Sequence, residues 1–280
     1  MSATEVLGPA VAGTWYPAGR DALAALVDRL LDAAEAGAAR AVIAPHAGYA
    51  YSGSLAATAL RALELSGTRR VILLGPSHHF GFAGAAVPAE GRACRTPLGD
   101  LAIDREAVAA LGASPGFRMD DRVFIPEHAL ESELPFLQRL LPDGLAIVPV
   151  LVGGGASRAD AADVARALEP LLDEATRIVV SSDFTHYGTA FGYVPFREAV
   201  PERIEALDRG ALAAIAAGDA AGFARYVDET GATICGRRAI DVLLRLPAGS
   251  RGRTVAYDTS GRQTGRWDHS VSYAAVEFPA

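Results

Sequence analysis

Six histidines occur in the chain, at positions 46, 78, 79, 128, 186 and 269, and three of the segments that hold them share one design. An apolar run passes abruptly into polar residues carrying an imidazole. Ala41-Val42-Ile43-Ala44 leads into Pro45-His46-Ala47-Gly48-Tyr49, Val71-Ile72-Leu73-Leu74 into Gly75-Pro76-Ser77-His78-His79, and Ile178-Val179-Val180 into Ser181-Ser182-Asp183-Phe184-Thr185-His186. Neutral imidazole is a metal ligand, and it exchanges protons near neutral pH. Any one of these histidines is equally readable as a hydrogen-bonded structural residue. The joint pattern favours a shared site, because a parallel sheet brings the C-terminal ends of neighbouring strands to one edge. His46 and one of His78 or His79 are the first candidate ligands; in extended backbone, successive side chains face opposite ways, so only one of the pair can enter the site.

Other residues add to this set. Cys235, in TICGRRAID, stands at the start of a predicted helix and beside Arg237 and Arg238, which favours thiolate character; the competing reading is a buried small apolar residue. Asp183 lies three residues before His186, where a carboxylate can orient an imidazole for general acid or base work, although it can equally cap a turn. Glu127, His128 and Glu131 cluster in PEHALE; a capped helix start accounts for the glutamates, and His128 is a proton-transfer candidate. Cys94 and His269 acquire no role.

The elements that must position these residues follow from periodicity. Leu23, Leu26, Val27, Leu30 and Leu31 fall at helical spacing within 21–35, and 52–65 reads as a second helix opened by Ser52, Gly53 and Ser54. With strands at 41–44 and 71–75, the order is helix, strand, helix, strand, which implies parallel pairing with right-handed crossovers. A hairpin-like excursion from 81 to 104 contains 85–87 and 101–103; a helix follows at 105–111 and a loop at 113–126. Residues 130–141 read as a helix with Pro135 in its first turn. The pattern continues with a strand at 145–152, a helix at 159–172 and a strand at 177–181. Helices at 204–217, 220–229 and 237–246 then precede β-like segments at 254–258 and 271–278. The expected architecture is a single α/β domain, 1–280, with a central, largely parallel mixed sheet flanked by helices.

Composition excludes several classes. A net charge of −7 argues against nucleic acid and anionic membrane as partners. No apolar run approaches the roughly 20 residues that cross a bilayer, and two cysteines make no disulfide framework; a cytoplasmic protein is expected. The chain has no lysine, which removes Schiff-base chemistry on that side chain. Gly153-Gly154-Gly155 lacks the spacing of a nucleotide cradle, and no GxSxG elbow occurs.

AGTWYP at 12–17, APHAGYAYSG at 44–53, GPSHH at 75–79, EHALESELPF at 127–136, PVLVG at 149–153, SSDFTHYG at 181–188, TICGRRAI at 233–240 and SVSYAA at 270–275 run in order along nearly the whole chain. Together they resemble the Memo family, in its bacterial form. The resemblance implies a fold like that of class III extradiol dioxygenases, which are non-haem iron enzymes, and it ranks His78 above His79. It implies a ligand set of His46, His78 and Cys235, with Asp183 and His186 as further pocket residues. It also implies an association with AMMECR1-like and radical SAM proteins. Extradiol enzymes use two histidines and a carboxylate around Fe(II); here a thiolate stands in place of the carboxylate, and softer ligation favours copper or zinc over harder ions.

Three functions follow as expectations. The first is an iron-dependent redox enzyme of the dioxygenase type, with Fe(II) foremost and Cu or Zn as alternatives, and with His186, Asp183 and His128 as proton-handling residues. The second is a non-catalytic protein that binds a small aromatic molecule or peptide in the same pocket, walled by Trp15, Tyr16, Tyr49 and Tyr187 with His79 beside them. The third is a zinc-dependent hydrolase.

Overall fold

The computed structural model describes residues 5–140 and 144–279. In chain order the strands are β1 (Val6–Leu7), β2 (Ala39–Ala44), β3 (Arg70–Pro76), β4 (Ala85–Val87), β5 (Ala93–Thr96), β6 (Gly99–Ile103), β7 (Phe117–Met119), β8 (Ala146–Val152), β9 (Thr176–Ser181), β10 (His186–Gly188), β11 (Arg253–Thr259) and β12 (His269–Pro279). The helices are α1 (Arg20–Asp32), α2 (Tyr49–Arg61), α3 (Arg105–Gly112), α4 (Leu134–Leu140), α5 (Arg158–Leu168), α6 (Val200–Ala216), α7 (Ala220–Thr230), α8 (Arg237–Arg245) and α9 (Ser260–Thr264).

The strands form one mixed α/β sheet whose main path runs β1-β5-β6-β8-β3-β9-β2-β12-β10. Its centre, β6-β8-β3-β9-β2, is parallel, and β12 closes antiparallel on β2. The uninterrupted apolar sequence of the central strands matches burial on both faces. Val71 through Leu74 and Ala41 through Ala44 are inaccessible, with helices on either side, among them α2 against β2 and α8 against β3, β8 and β9. On α1, Leu23, Val27 and Leu31 form the buried stripe that packs toward α2 and α4.

Three expectations need correction, and one strand was not foreseen. α2 begins at Tyr49 behind Gly48, so Ser52 does not cap it; Ser52 is buried within the helix and donates instead to the carbonyl of Ala47 at 2.9 Å. The helix expected at 130–141 is a 3-10 turn, Glu131–Glu133, followed by α4, in which Pro135 does occupy the first turn; Leu141 lies outside the described residues. The region 113–126 holds β7 and a short 3-10 turn rather than loop alone. β10, which contains His186, pairs antiparallel with β12; at three residues it is too short for alternation to reveal it. Among the described residues no helix is long and apolar enough to cross a membrane.

The central strands carry the fold. Leu73 is fully buried in β3, between β8 and β9. Leu73→Ala should therefore cost about 2–5 kcal/mol, read as a lower urea midpoint with an unchanged slope.

Candidate functional site

The centre of the sheet places β3, β9 and β2 side by side. Two residues past their ends stand His78 after Pro76, Asp183 after Ser181 and His46 after Ala44. Parallel pairing, Ile43 with Val180 and Leu74 with Val180, puts His46 and Asp183 at one level, and β3 runs one residue further, so that His78 stands one position beyond them. Cys235 reaches the same spot from the segment before α8, and its Sγ lies 3.3 Å from His46 Nε2. One ligand atom from each of His46, His78 and Cys235 lies within 4.8 Å of the others.

Each imidazole is held through Nδ1. Ser181 Oγ donates to the Ala129 carbonyl at 2.6 Å, so it accepts from His46 Nδ1 at 2.7 Å. Glu127 Oε1 accepts from His78 Nδ1 at 2.8 Å, and Oε2 accepts the His78 backbone N–H at 2.6 Å. His186 Nδ1 faces the carbonyls of Phe184 at 2.8 Å and Thr233 at 3.0 Å. Carbonyls and carboxylates only accept, which fixes the proton on Nδ1 and leaves each Nε2 as a lone pair. Imidazoles oriented in this way by outer partners are the usual arrangement around a metal.

The electrostatics keep His46 neutral. Burial, then the charges that His78, His128 and His186 would carry, hold His46 well below the ordinary imidazole range. Burial alone would raise the Glu127 carboxyl, but its hydrogen bond to His78, the charge there and the N–H groups of His78 and Ala129 keep it below the usual carboxylate range. Asp183 is pushed up to about 6 by burial, against the opposing pull of His186 and the N–H groups of His46 and Ala47.

Two sequence expectations change here. Cys235 is not a free thiolate: burial first, then the negative charge of Asp183, push its thiol well up, and these outweigh the N–H of Asp183 donating to Sγ at 3.2 Å. The thiolate forms when a cation replaces that proton. Nor does Asp183 orient His186. Its Oδ1 accepts the His46 backbone N–H at 2.9 Å, while the carbonyls of Phe184 and Thr233 orient the His186 ring.

The rest of the expected set divides. His128 is in the cluster, its ring stacked on that of His78 at 4.5 Å and tilted against Trp15 at 4.3 Å. His78, Glu127 and His128 form a second close group, but Glu127 is already committed to His78. His79 is exposed, its ring 6.3 Å from that of His128. Tyr16, Tyr49 and Tyr187 are corrected from pocket walls to buried struts. Their hydroxyls donate to Glu131, to the Ser132 carbonyl and to the Phe196 carbonyl. A cleft of about 410 Å³ opens beside the cluster, lined by His78, His186 and Cys235 together with Val152, Phe191 and Ile234. Cys94 lies on β5 in apolar surroundings, its thiol raised to about 12 by burial, and exposed His269 stacks on Phe191 at 4.5 Å.

Two carboxylates escaped the sequence reading. Glu127 was accounted for as a helix start. Asp208, inaccessible on α6, accepts from Thr185 N at 3.1 Å, Thr185 Oγ1 at 2.6 Å and Tyr257 Oη at 2.7 Å, and so anchors the segment between Asp183 and His186. Its signal was present: Ile204, Asp208, Ala211, Leu212 and Ile215 share one helical stripe, and a carboxylate on an apolar stripe needs partners.

Comparison with known proteins bears on this arrangement. The family described as Memo-like protein matches residues 8–277. The chain belongs to the Memo family. Protein MEMO1 of Danio rerio is 38% identical over 281 residues, covering 94% of each chain. Protein MEMO1 of Homo sapiens is 36% identical over 280 residues with the same coverage, and the memo-1 homolog of Caenorhabditis elegans is 36% identical, covering 94% of this chain and 80% of its own. A crystal structure of an uncharacterized protein from Escherichia coli K12 aligns with a TM-score of 0.45 at 14% identity, over 78% of this chain and 88% of that one. In this Memo family chain, His46, His78 and Cys235 form a candidate metal-binding group.

Acid stability reads out the neutral cluster in chelator-treated protein. Burial and the charge on His78 hold His128 down to about 4, from an ordinary value of 6.5. The unfolded chain therefore binds more protons between these values, and stability falls as pH is lowered through that window, by up to about 3 kcal/mol from this residue. His46 acts in the same direction. Asp183, raised to about 6, acts oppositely, since its folded form gains the proton first. His128→Gln should lose measurably less stability than wild type between pH 7 and about pH 4.5 in urea titrations; equal losses would show that His128 is not the neutral group.

Proposed function

We propose that the chain is a metal-dependent redox protein of the extradiol dioxygenase type, with His46, His78 and Cys235 holding the ion. Fe(II) is the first expectation, and Cu or Zn are the alternatives that thiolate ligation brings forward. The single observation that carries the reading is the convergence of two imidazoles with anchored Nδ1 atoms and one thiol, all within 4.8 Å. The donor set fits a borderline or soft cation, since neutral nitrogen and sulfur predominate and the flanking carboxylates are engaged elsewhere. A redox-active ion supplies one-electron chemistry and Lewis acidity at this position.

The remaining roles belong to the protein. His186, its Nδ1 bonded to the Phe184 carbonyl, stands on the cleft wall and is the group that accepts a proton from a substrate hydroxyl. Asp183 holds the His46 backbone and places a carboxylate that titrates near neutrality behind the cluster. Phe191, Ile234 and Val152 provide an apolar wall that favours a small aromatic body.

Metal analysis of protein purified without added metal should find about one iron or copper per chain, lost in both His46→Ala and Cys235→Ala. Glu127→Gln, which removes the anion that fixes the His78 tautomer, should weaken metal affinity by about 10–100-fold while leaving the fold intact. Retention of metal by both alanine variants, or none in wild type after anaerobic reconstitution, would overturn the reading. Zinc alone, with no oxygen uptake on a catechol panel, would point to hydrolysis instead.

A further inference from the structure

Three buried side-chain polar atoms among the described residues lack a hydrogen-bond partner: Ser77 Oγ, Arg238 Nε and Glu133 Oε2. Ser77 and Arg238 both line the cleft beside the metal-ligand cluster, and Arg237 lines it too. Buried donors are almost always paired, because an unsatisfied one costs the whole of its lost hydration. Two such atoms, each on a residue that lines one cleft, therefore point to an acceptor that arrives with a ligand.

Arg237 and Arg238 also line a small adjoining cavity with Asp228 and Asp241. Neither Arg237 nor Arg238 makes an ion pair or a side-chain hydrogen bond among the described residues, whereas Arg245 on the same helix pairs with Asp241 at 3.0 Å. Asp160 feels the charge of Arg238 but is committed to the α5 cap, its Oδ2 accepting the Ser157 backbone N–H at 2.6 Å. Across the cleft from the arginines stand His78 and His186.

We propose that Arg237, Arg238 and Ser77 form a carboxylate-binding subsite, so that the molecule taken into the cleft is a small organic acid with an apolar body. A guanidinium edge of Nε and one Nη matches the two oxygens of a planar carboxylate. Ser77 adds a hydroxyl donor, and Phe191 and Ile234 receive the apolar part. Ser77 directly precedes His78 and Arg238 follows Cys235 by three residues, so an acid held here lies against the ligand cluster. The subsite deepens the redox reading by naming its substrate class; it rests on that reading for the chemistry done to the acid, not for its binding.

The test is titration of the purified chain, metal-free and iron-reconstituted, with benzoate, benzamide and phenyl phosphate, followed by heteronuclear NMR. Benzoate should bind saturably in both forms, with benzamide at least about tenfold weaker. Arg238→Met should weaken benzoate by about 10–100-fold and leave benzamide unchanged, with a smaller loss in Arg237→Met. Arg238→Lys keeps the charge but lacks the fork, and covers the case in which the methionine variant does not fold; it too should lose about tenfold. Equal binding of benzoate and benzamide, no binding of benzoate, or full affinity in Arg238→Lys would overturn the subsite. Tighter binding of phenyl phosphate than of benzoate would overturn its assignment to carboxylates. Iron content is measured on the same samples: wild type that binds benzoate but takes up no metal would remove the redox reading and leave the subsite standing.

Discussion

Backbone hydrogen bonding between β3, β9 and β2 is the constraint on which the site depends. Parallel pairing lets β2 and β9 end at one level with β3 one residue beyond, and each then delivers its polar residue two positions further on. No side chain has to reach: His46, His78 and Asp183 arrive together because the backbones do. The cost of such a sheet is that both faces must be covered, and the helices that cover it, α2 and α8 among them, bring in the remaining pieces. The loop before α8 carries Cys235, and the site gains its sulfur from the same element that seals the sheet.

Around this frame the chemistry is set by what the outer atoms accept. Ser181 and Glu127 take the Nδ1 protons of His46 and His78, and two main-chain carbonyls share that of His186. Burial, and the charges that neighbouring imidazoles would carry, keep His46 neutral well below the pH at which free histidine titrates. The thiol obeys the same logic with the opposite sign: burial beside Asp183 favours its proton. Without a cation the Cys235 thiol keeps its proton, and a cation would have to displace it.

Much of this was legible in the residues. The apolar runs before His46, His78 and Asp183 identified central strands, and the strand-end rule grouped them. Periodicity found α1, α6, α7 and α8 because each buries one long stripe. What stayed hidden depended on partners remote in sequence. Tyr16, Tyr49 and Tyr187 have the composition of a binding wall, and only the positions of Glu131, Ser132 and Phe196 show that their hydroxyls are already bonded inside the core. Cys235 sits beside two arginines in sequence, yet burial and a carboxylate from β9's end decide its thiol. Glu127 looked like a cap because local geometry explains a glutamate at a helix start; its true partner is 49 residues away.

His46 and Cys235, whose side chains touch, are separated by 189 residues. At ordinary translation speeds of about 5–20 residues per second, the sulfur leaves the ribosome roughly 10–40 s after the imidazole it will meet. During that interval β2, β3 and β9 can emerge in turn, but α8 has not arrived to cover them and β12 cannot close the edge of β2. The pocket is consequently one of the last features of the molecule to exist. Its completion reports that synthesis of nearly the whole chain has finished, and a chain cut short before Cys235 keeps its histidines without the thiol that joins them.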